Sequence, residues 1–150
     1  MPGIYDRDLD QQQANYQPLT PLTFLERAAT VFPEHIAVIY GELQLSYRDF
    51  YGRCRQLASV LAARGIGRGD AVSVMLANTP AMLEAHYAVP MCGAVLHSMN
   101  TRLDAAVIAF QLDHAESKLL ITDTAFSVTM GAALELASVE PQVIDYQDVE

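Results

Sequence analysis

Basic residues are scarce in this sequence. Lysine and arginine together number 9 against 18 aspartates and glutamates, which gives the 150-residue chain a net charge of −9. Nucleic acids and anionic membrane surfaces are bound through basic patches, and the few cations here are dispersed along the chain. The composition therefore predicts no nucleic-acid partner and no binding to an anionic membrane.

Cysteine is scarcer still. Cys54 and Cys92 lie far apart and form no CxxC pair. The sequence therefore predicts neither a disulfide framework nor a zinc site, but two reduced and buried thiols. This use of cysteine fits a cytoplasmic protein, and we expect that location.

Long hydrophobic runs are also missing. A membrane-spanning helix needs about 20 apolar residues in succession. Residues 1–17 are polar and contain no apolar signal core, and the longest apolar stretch, residues 81–99, is interrupted by Glu84, His86, Pro90 and His97. We therefore expect no membrane span.

Familiar catalytic motifs are absent as well. The four histidines have neither i, i+4 nor HxH spacing, so no metal site is expected. No GxSxG elbow is present, and Ser98 is a poor nucleophile because its neighbour His97 points to the opposite face of a strand. No Gly-rich loop with Lys and Ser/Thr is available to hold a triphosphate. The residues alone assign no catalytic group.

The chain is apolar enough for a sizeable core. Half of it, 51%, is hydrophobic, and 150 residues predict one domain. Residues 1–19 are rich in Gln and Asp without periodicity, which indicates an N-terminal arm. The domain itself is expected over residues 20–150.

The central stretch, residues 70–103, predicts a βαβ unit. Residues 71–77 and 94–99 are apolar on both faces, as strands buried between helical layers are, and Thr79-Pro80 starts a helix between them. The polar turn Asn100-Thr101-Arg102 follows the second strand. Ligands of open α/β sheets bind at that carboxyl edge.

The remaining pattern extends this unit in both directions. We predict a helix from Thr20-Pro21 to Pro33, a hairpin of residues 36–40 and 43–47 turning at Gly41-Glu42, and a Ser46-capped helix to about Arg64. Downstream we predict a helix from Asp104 to His114, a strand over residues 118–122, a helix from Asp123-Thr124 to about Leu136 and a strand over residues 142–146. This alternation predicts an α/β fold with a mostly parallel, doubly wound sheet and an N-terminal β-hairpin.

The glycines of residues 65–70, GIGRGD, resemble half of a dinucleotide-binding fingerprint. That fingerprint needs a strand before the glycines and a helix after them, and here the order is reversed. The segment is interpreted as a helix C-cap at Gly65 followed by a turn.

Several segments, in order, resemble one enzyme family. They read TPL…FLERAA…P, Y…LSY, LA…GI.RGD.V, N.P…LEAH…P..GAV, N.RL and K.LI.D between Leu19 and Asp123. In this succession the chain resembles the start of the adenylate-forming, AMP-dependent acyl-CoA synthetases. Within that family it is most similar to ligases of small and medium carboxylates, including the methylmercaptopropionate-CoA ligase type.

The resemblance implies a reaction and its cofactors. A small carboxylate and ATP, with Mg, form an acyl-adenylate, which coenzyme A then converts to the thioester. The phosphate loop, the nucleotide motifs and the adenylation lysine of the family lie downstream of the segments present here, so no catalytic residue is assigned. We expect an incomplete N-terminal domain that is inactive alone; the alternative is a stand-alone doubly wound α/β binding domain without catalytic activity.

One site residue is carried over from the resemblance. The arginine of the N.RL turn lies in relatives at the mouth of the pantetheine tunnel, near the phosphates of coenzyme A, and Arg102 occupies that position. Arginine suits phosphate because its fork is permanently charged and bidentate. The alternative is an Arg102 that pairs with Asp104 or caps a loop, and Asn100 is expected to hold the turn.

The resemblance also bears on association. In the family, downstream strands and helices complete the layer that these strands begin. An unpaired sheet edge and an uncovered apolar face favour association and aggregation, so we expect the isolated chain to be a homodimer, aggregated or molten.

Overall fold

The computed structural model of this protein describes residues 19–148. The predicted arm, apart from Leu19, lies outside these residues. The α-helices are α1 Pro21–Val31, α2 Tyr47–Ala63, α3 Pro80–Met91, α4 Ala105–His114 and α5 Ser127–Leu136. The strands are β1 Ile36–Tyr40, β2 Leu43–Ser46, β3 Ala71–Met75, β4 Val95–Ser98, β5 Ser117–Asp123 and β6 Gln142–Tyr146. No described helix combines the length and the hydropathy needed to cross a bilayer.

The strands form two sheets. β1 and β2 form an antiparallel hairpin, and the other four strands form a parallel sheet in the order β4-β3-β5-β6. Successive parallel strands are joined by crossover connections, and here the helices α3, α4 and α5 are those connections. The predicted α/β class, parallel sheet and hairpin are confirmed.

Helices cover both faces of the parallel sheet. On one face Val72 and Val74 of β3 pack with Leu61 of α2 and with Ala85 and Val89 of α3. On the other face Met75 and Leu120 pack with residues of α4 and α5, including Ile108, Leu112 and Met130. Side chains alternate along a strand, so one strand supplies both cores. The sheet is therefore doubly wound.

The hairpin has a core of its own. Leu25 of α1, Leu45 of β2, and Phe50 and Cys54 of α2 form a third buried cluster. The turn has the predicted geometry, because Gly41 has φ +53° while Glu42 does not have a positive φ. The hairpin is thus attached to the parallel sheet through α2.

Three of the predicted helix starts have their capping hydrogen bonds, whereas Thr79 lies at the N-cap of α3 and its side chain makes no capping bond. The Thr20 and Asp104 side chains accept hydrogen bonds from Thr23 N and Val107 N. Ser46 and Asp49 bond reciprocally in a complete capping box. These side chains satisfy amide groups that the first turn of a helix leaves without partners.

The glycine-rich linker ends a helix, as predicted. Gly65 has φ +80°, its N–H donates to Ala62 O, and Ile66 N donates to Leu61 O. These two bonds form a Schellman motif, whose hydrophobic contact joins the buried Ile66 and Leu61. Since the linker closes α2 and leads into β3, a nucleotide loop is not formed.

Two strand predictions need correction. β3 ends at Met75 rather than residue 77, because Met75 has the last ladder partner, Thr122. β4 was expected to be buried on both faces, yet Val95 is 56% exposed. β4 pairs only with β3 among the described strands, so it lies at a sheet edge.

Helix and turn boundaries differ in smaller ways. Tyr47 begins α2 rather than ending β2, because Ser46 serves as the N-cap. The predicted helix from Asp123 is divided into a 3₁₀ turn over Thr124–Phe126 and α5. Of the two cysteines, Cys54 is buried as expected and Cys92 is only half-buried; both are free thiols.

Candidate functional site

The carboxyl edge of the parallel sheet is the candidate site. β3, β4, β5 and β6 run in one direction, so the segments that follow them all leave at this edge. These segments are residues 76–79, 99–104, 124–126 and 147–148, and Arg102 is the single cation they contain. Among the described residues of these segments, an anionic ligand therefore has one cationic side chain to bind.

Arg102 lies on a tightly held turn. Met99 N donates to Val74 O at 2.9 Å, which ends the β4 ladder, and Arg102 N then donates to the Asn100 side-chain oxygen at 2.9 Å. Asn100 therefore holds the turn, as the sequence predicted. The backbone that carries Arg102 is positioned by its own neighbours.

The Arg102 side chain is exposed. Asp104, its expected alternative partner, accepts instead from Val107 N at 2.9 Å as the N-cap of α4. Within residues 19–148 no ion pair joins Arg102 to Asp104. The guanidinium has the exposure and charge that a phosphate contact requires.

The described residues of the carboxyl edge lack the features that bind a triphosphate. The carboxyl-edge segments contain no glycine, and Asp123 and Asp148 bring negative charge there. Asp123 is buried and accepts from Ala125 N at 2.8 Å. In residues 19–148 no three His, Cys, Asp or Glu side chains are grouped to hold a metal ion. The described residues of this edge thus offer one cation, Arg102, and contain neither a glycine-rich loop nor a grouped set of metal ligands.

A cleft of about 540 Å³ opens beside this edge, between β1 and the first turns of α3. Its walls are mostly apolar and include Val38, Ile39, Pro80, Met82, Leu83 and Tyr87. Tyr40 also lines the cleft, and its hydroxyl donates to Asp148 Oδ2. The lining suits an apolar group, and Arg102 is not part of it.

The phenol of Tyr146 lies near the same edge. Burial, reinforced by the Asp148 carboxylate, raises the pKa of Tyr146 above its ordinary value, and the nearby Thr79 hydroxyl opposes this only in part. Tyr146 is therefore a neutral phenol at physiological pH and no candidate base.

The four histidines have separate structural partners. His35 stacks on Phe32, His114 stacks on Phe110, and His86 Nδ1 lies 2.8 Å from Met82 O. His97 Nδ1 lies 2.8 Å from Ser73 Oγ. Sequence reasoning missed this last contact, because Ser73 and His97 become neighbours only through the β3–β4 register.

Neither thiol has the environment of a reactive cysteine. Burial, with the negative charge of Glu84, raises the pKa of Cys54 to about 12. Burial also raises the pKa of Cys92, whose Sγ donates to Ala58 O. Since the thiolate is the nucleophile, both cysteines are unreactive.

Two plant enzymes are similar to the chain. It is 48% identical over 129 residues to the peroxisomal acetate/butyrate–CoA ligase AAE7 of Arabidopsis thaliana, covering 86% of this chain and 23% of that protein. It is 47% identical over 133 residues to the peroxisomal benzoate–CoA ligase of the same plant, covering 89% and 23%. The chain thus spans about a quarter of the length of these relatives.

These names contradict the expected location. Both enzymes, and two further Arabidopsis acyl-activating enzymes of 46–47% identity, are named peroxisomal. The prediction of a cytoplasmic protein is therefore wrong. A peroxisomal address is a short segment read by a receptor, so composition and cysteine use carry no information about it.

Solved structures share the fold. A benzoate–CoA ligase from Burkholderia xenovorans LB400 superposes with a TM-score of 0.78 at 25% identity, covering 84% of this chain and 25% of that one. The O-succinylbenzoate–CoA synthetase of Bacillus subtilis, solved with ATP and a magnesium ion, has a TM-score of 0.70 at 28% identity, covering 81% and 32%. The sequence profile described as AMP-binding enzyme matches residues 25–149, and the chain belongs to that family.

Proposed function

We propose that this chain is the N-terminal part of an ATP-dependent acid–CoA ligase. The complete enzyme activates a small or medium carboxylate as an acyl-adenylate and transfers the acyl group to coenzyme A, within fatty-acid metabolism. The observation that carries the proposal is the family match over residues 25–149. Acetate, butyrate and benzoate, the substrates in the relatives' names, support a small carboxylate.

In this proposal the described residues are scaffold and contain no catalytic group. ATP and Mg bind to parts of the ligase outside this sequence, because the carboxyl-edge segments offer one cation and no glycine-rich loop. The parallel sheet and its caps position the edge at which those parts meet the chain.

Arg102 is the one residue to which we assign a ligand. We place a phosphate of coenzyme A against its guanidinium. Support comes from its exposure, from the bond between its own N–H and the Asn100 side chain, and from the occupation of Asp104 as a helix cap. Arginine is permanently charged and binds phosphate through two donors, and the Asn100 side chain holds the backbone that carries this one.

Isothermal titration calorimetry and a pyrophosphate-release assay test the proposal. We expect the 150-residue chain to bind no ATP at micromolar strength and to release no pyrophosphate with ATP and acetate, butyrate or benzoate. A reading frame that continues into a Ser/Thr/Gly-rich phosphate loop is expected, and its product should have the activity. If the chain alone binds ATP, or if the reading frame contains no such phosphate loop, the alternative of a stand-alone binding domain is favoured.

We further propose that the chain forms a homodimer. β4 and β6 each pair on one side only among the described strands, and large apolar side chains such as Phe110 and Ile39 are 67% and 69% exposed. Open edges and exposed apolar surface favour association. Sedimentation equilibrium should give a dimer that binds a hydrophobic dye, whereas a dye-silent monomer with a sharp thermal transition would exclude it.

A further inference from the structure

Three side chains form a hydrogen-bonded chain across the parallel sheet. Ser73 Oγ of β3 lies 2.8 Å from His97 Nδ1 of β4 and 2.6 Å from Ser117 Oγ of β5. Ser73 and Ser117 are 0% and 3% exposed, and His97 is half-buried. The network thus joins three adjacent strands through two buried hydroxyls and one half-buried imidazole.

The position of the proton on His97 determines which groups of this network have hydrogen-bond partners. With His97 neutral and protonated on Nε2, Nδ1 accepts from the Ser73 hydroxyl, and Ser73 Oγ accepts from the Ser117 hydroxyl. Each of these groups then has a partner. With a proton on Nδ1, that N–H donates to Ser73, Ser73 turns to Ser117, and the Ser117 hydroxyl has no acceptor among the described residues. A buried donor without a partner is costly.

A charge on His97 is disfavoured for a second reason. Burial, together with the proximity of His114 at the end of α4, lowers the pKa of His97 below its ordinary value. The group that contacts it from β3 is the Ser73 hydroxyl, which is bonded in turn to the Ser117 hydroxyl of β5, and neither supplies a negative charge. His114 is the titratable side chain that acts on it within residues 19–148.

β4 has few other features that fix its register. It has four residues, VLHS, it pairs only with β3 among described strands, and its side chains do not alternate between buried and exposed. A one-residue slip would place Leu96 or Ser98 opposite Ser73 instead of His97. Selection of one register is the best-attested role of buried polar contacts.

We propose that the Ser73–His97–Ser117 network locks the register of β4, and that protonation of His97 opens this lock. Opening frees the ladder bonds at the two ends of β4, in which Val95 N donates to Asp70 O and Met99 N donates to Val74 O. β4 therefore detaches in acid while the central strands β3 and β5 stay paired.

The tautomer of His97 in the wild-type chain is the first test. Nitrogen-15 NMR of the imidazole at about pH 7.5, well above the ordinary histidine pKa, should identify the Nε2-protonated form with a bare, hydrogen-bonded Nδ1. A proton on Nδ1 at this pH would overturn the proposal. This measurement needs no variant and so does not depend on the folding of one.

Hydrogen exchange is the second test. On acidification to about pH 5, the protection of the Val95 and Met99 amides, corrected for intrinsic exchange, should fall, with a ceiling of about tenfold for each unit by which the pKa of His97 is lowered. The protection of the Leu120 and Ile121 amides of β5 should not change over the same pH range. His97→Gln should abolish the fall, and the exposed control His86→Gln should leave it unchanged. Equal protection of β4 at both pH values, or an unchanged fall in His97→Gln, would overturn the lock.

Discussion

The ion pair between Arg53 of α2 and Glu84 of α3 should show a marked asymmetry on mutation. Arg53 Nε contacts Glu84 Oε1, and the side chains are 45% and 9% exposed, respectively. Glu84 is thus a buried carboxylate with one cationic partner, whereas Arg53 is about half in water. The neighbouring Cys54, whose pKa rises to about 12 through burial and through Glu84, reports the same poorly solvated environment.

Removal of each partner leaves a different residue behind. Arg53→Met keeps the length and helix propensity of the side chain but leaves the Glu84 carboxylate unpaired. Breaking a fully buried pair costs about 3–5 kcal/mol; because Arg53 is half exposed, we expect about 2–3 kcal/mol. Glu84→Gln leaves a guanidinium that turns into solvent, and should cost about 1 kcal/mol. The double variant should be more stable than Arg53→Met alone, since it buries no unpaired charge.

Urea denaturation followed by circular dichroism measures these differences. The control is the Arg48–Glu34 pair at 2.7 Å, whose side chains are 64% and 74% exposed. Arg48→Met should change the unfolding free energy by no more than about 0.5 kcal/mol, since exposed pairs contribute little. If Arg53→Met costs no more than Glu84→Gln or Arg48→Met, burial of the Glu84 charge does not govern the pair and the reasoning fails.

Two further predictions concern the coenzyme site and acid stability. In the complete ligase, Arg102→Ala should remove a charge-assisted contact of about 1.5–3 kcal/mol and raise the KM for coenzyme A about 10- to 150-fold. Carboxylate-dependent pyrophosphate exchange should be unchanged, and Arg102→Lys should have an intermediate KM. An equal loss in both half-reactions would indicate a structural role for Arg102. Asp113 Oδ1 accepts from Val139 N and Ser138 N, bonds that hold its pKa below the ordinary 3.8. Because the pKa of Asp113 is lower in the folded chain than in the unfolded chain, the carboxylate stabilises the fold above the unfolded pKa, and this stabilisation is lost as pH falls below about 3.8. The urea midpoint of Asp113→Asn should therefore fall less on acidification than that of the wild type.

Local signals in the sequence were sufficient for most of the fold. Ser46 with Asp49, Asp104 and Gly65 each act on backbone groups within a few residues, so their roles follow from spacing alone. The strands of the parallel sheet were predicted with errors of one or two residues at their ends. Such errors arise where a ladder partner, rather than the residue itself, ends the strand.

Contacts made across the sheet could not be predicted in this way. Val95 is apolar like its neighbours, and its exposure depends on the strand order β4-β3-β5-β6, which periodicity does not contain. The Ser73–His97 bond needs the exact parallel register, and the cleft beside α3 needs the approach of β1 from a separate sheet. The exposure of Arg102 likewise depends on Asp104 bonding to the start of α4.

The two edges of the parallel sheet differ in how completely the described residues satisfy one another. At the amino edge, Asp70 pairs with Lys118 at 2.9 Å and accepts from Gly67 N at 2.8 Å, and Gly69 N donates to Gly93 O. At the carboxyl edge, the buried hydroxyl of Thr122 has no hydrogen-bond partner in residues 19–148, and neither does the buried side-chain oxygen of Gln111 near the end of α4. Buried polar groups in native proteins are nearly always paired, so Thr122 is one point at which the carboxyl edge can accept a further group. Arg102, to which the proposed contact with coenzyme A is assigned, lies on a turn at that same edge, whereas the charged side chains named at the amino edge pair with each other.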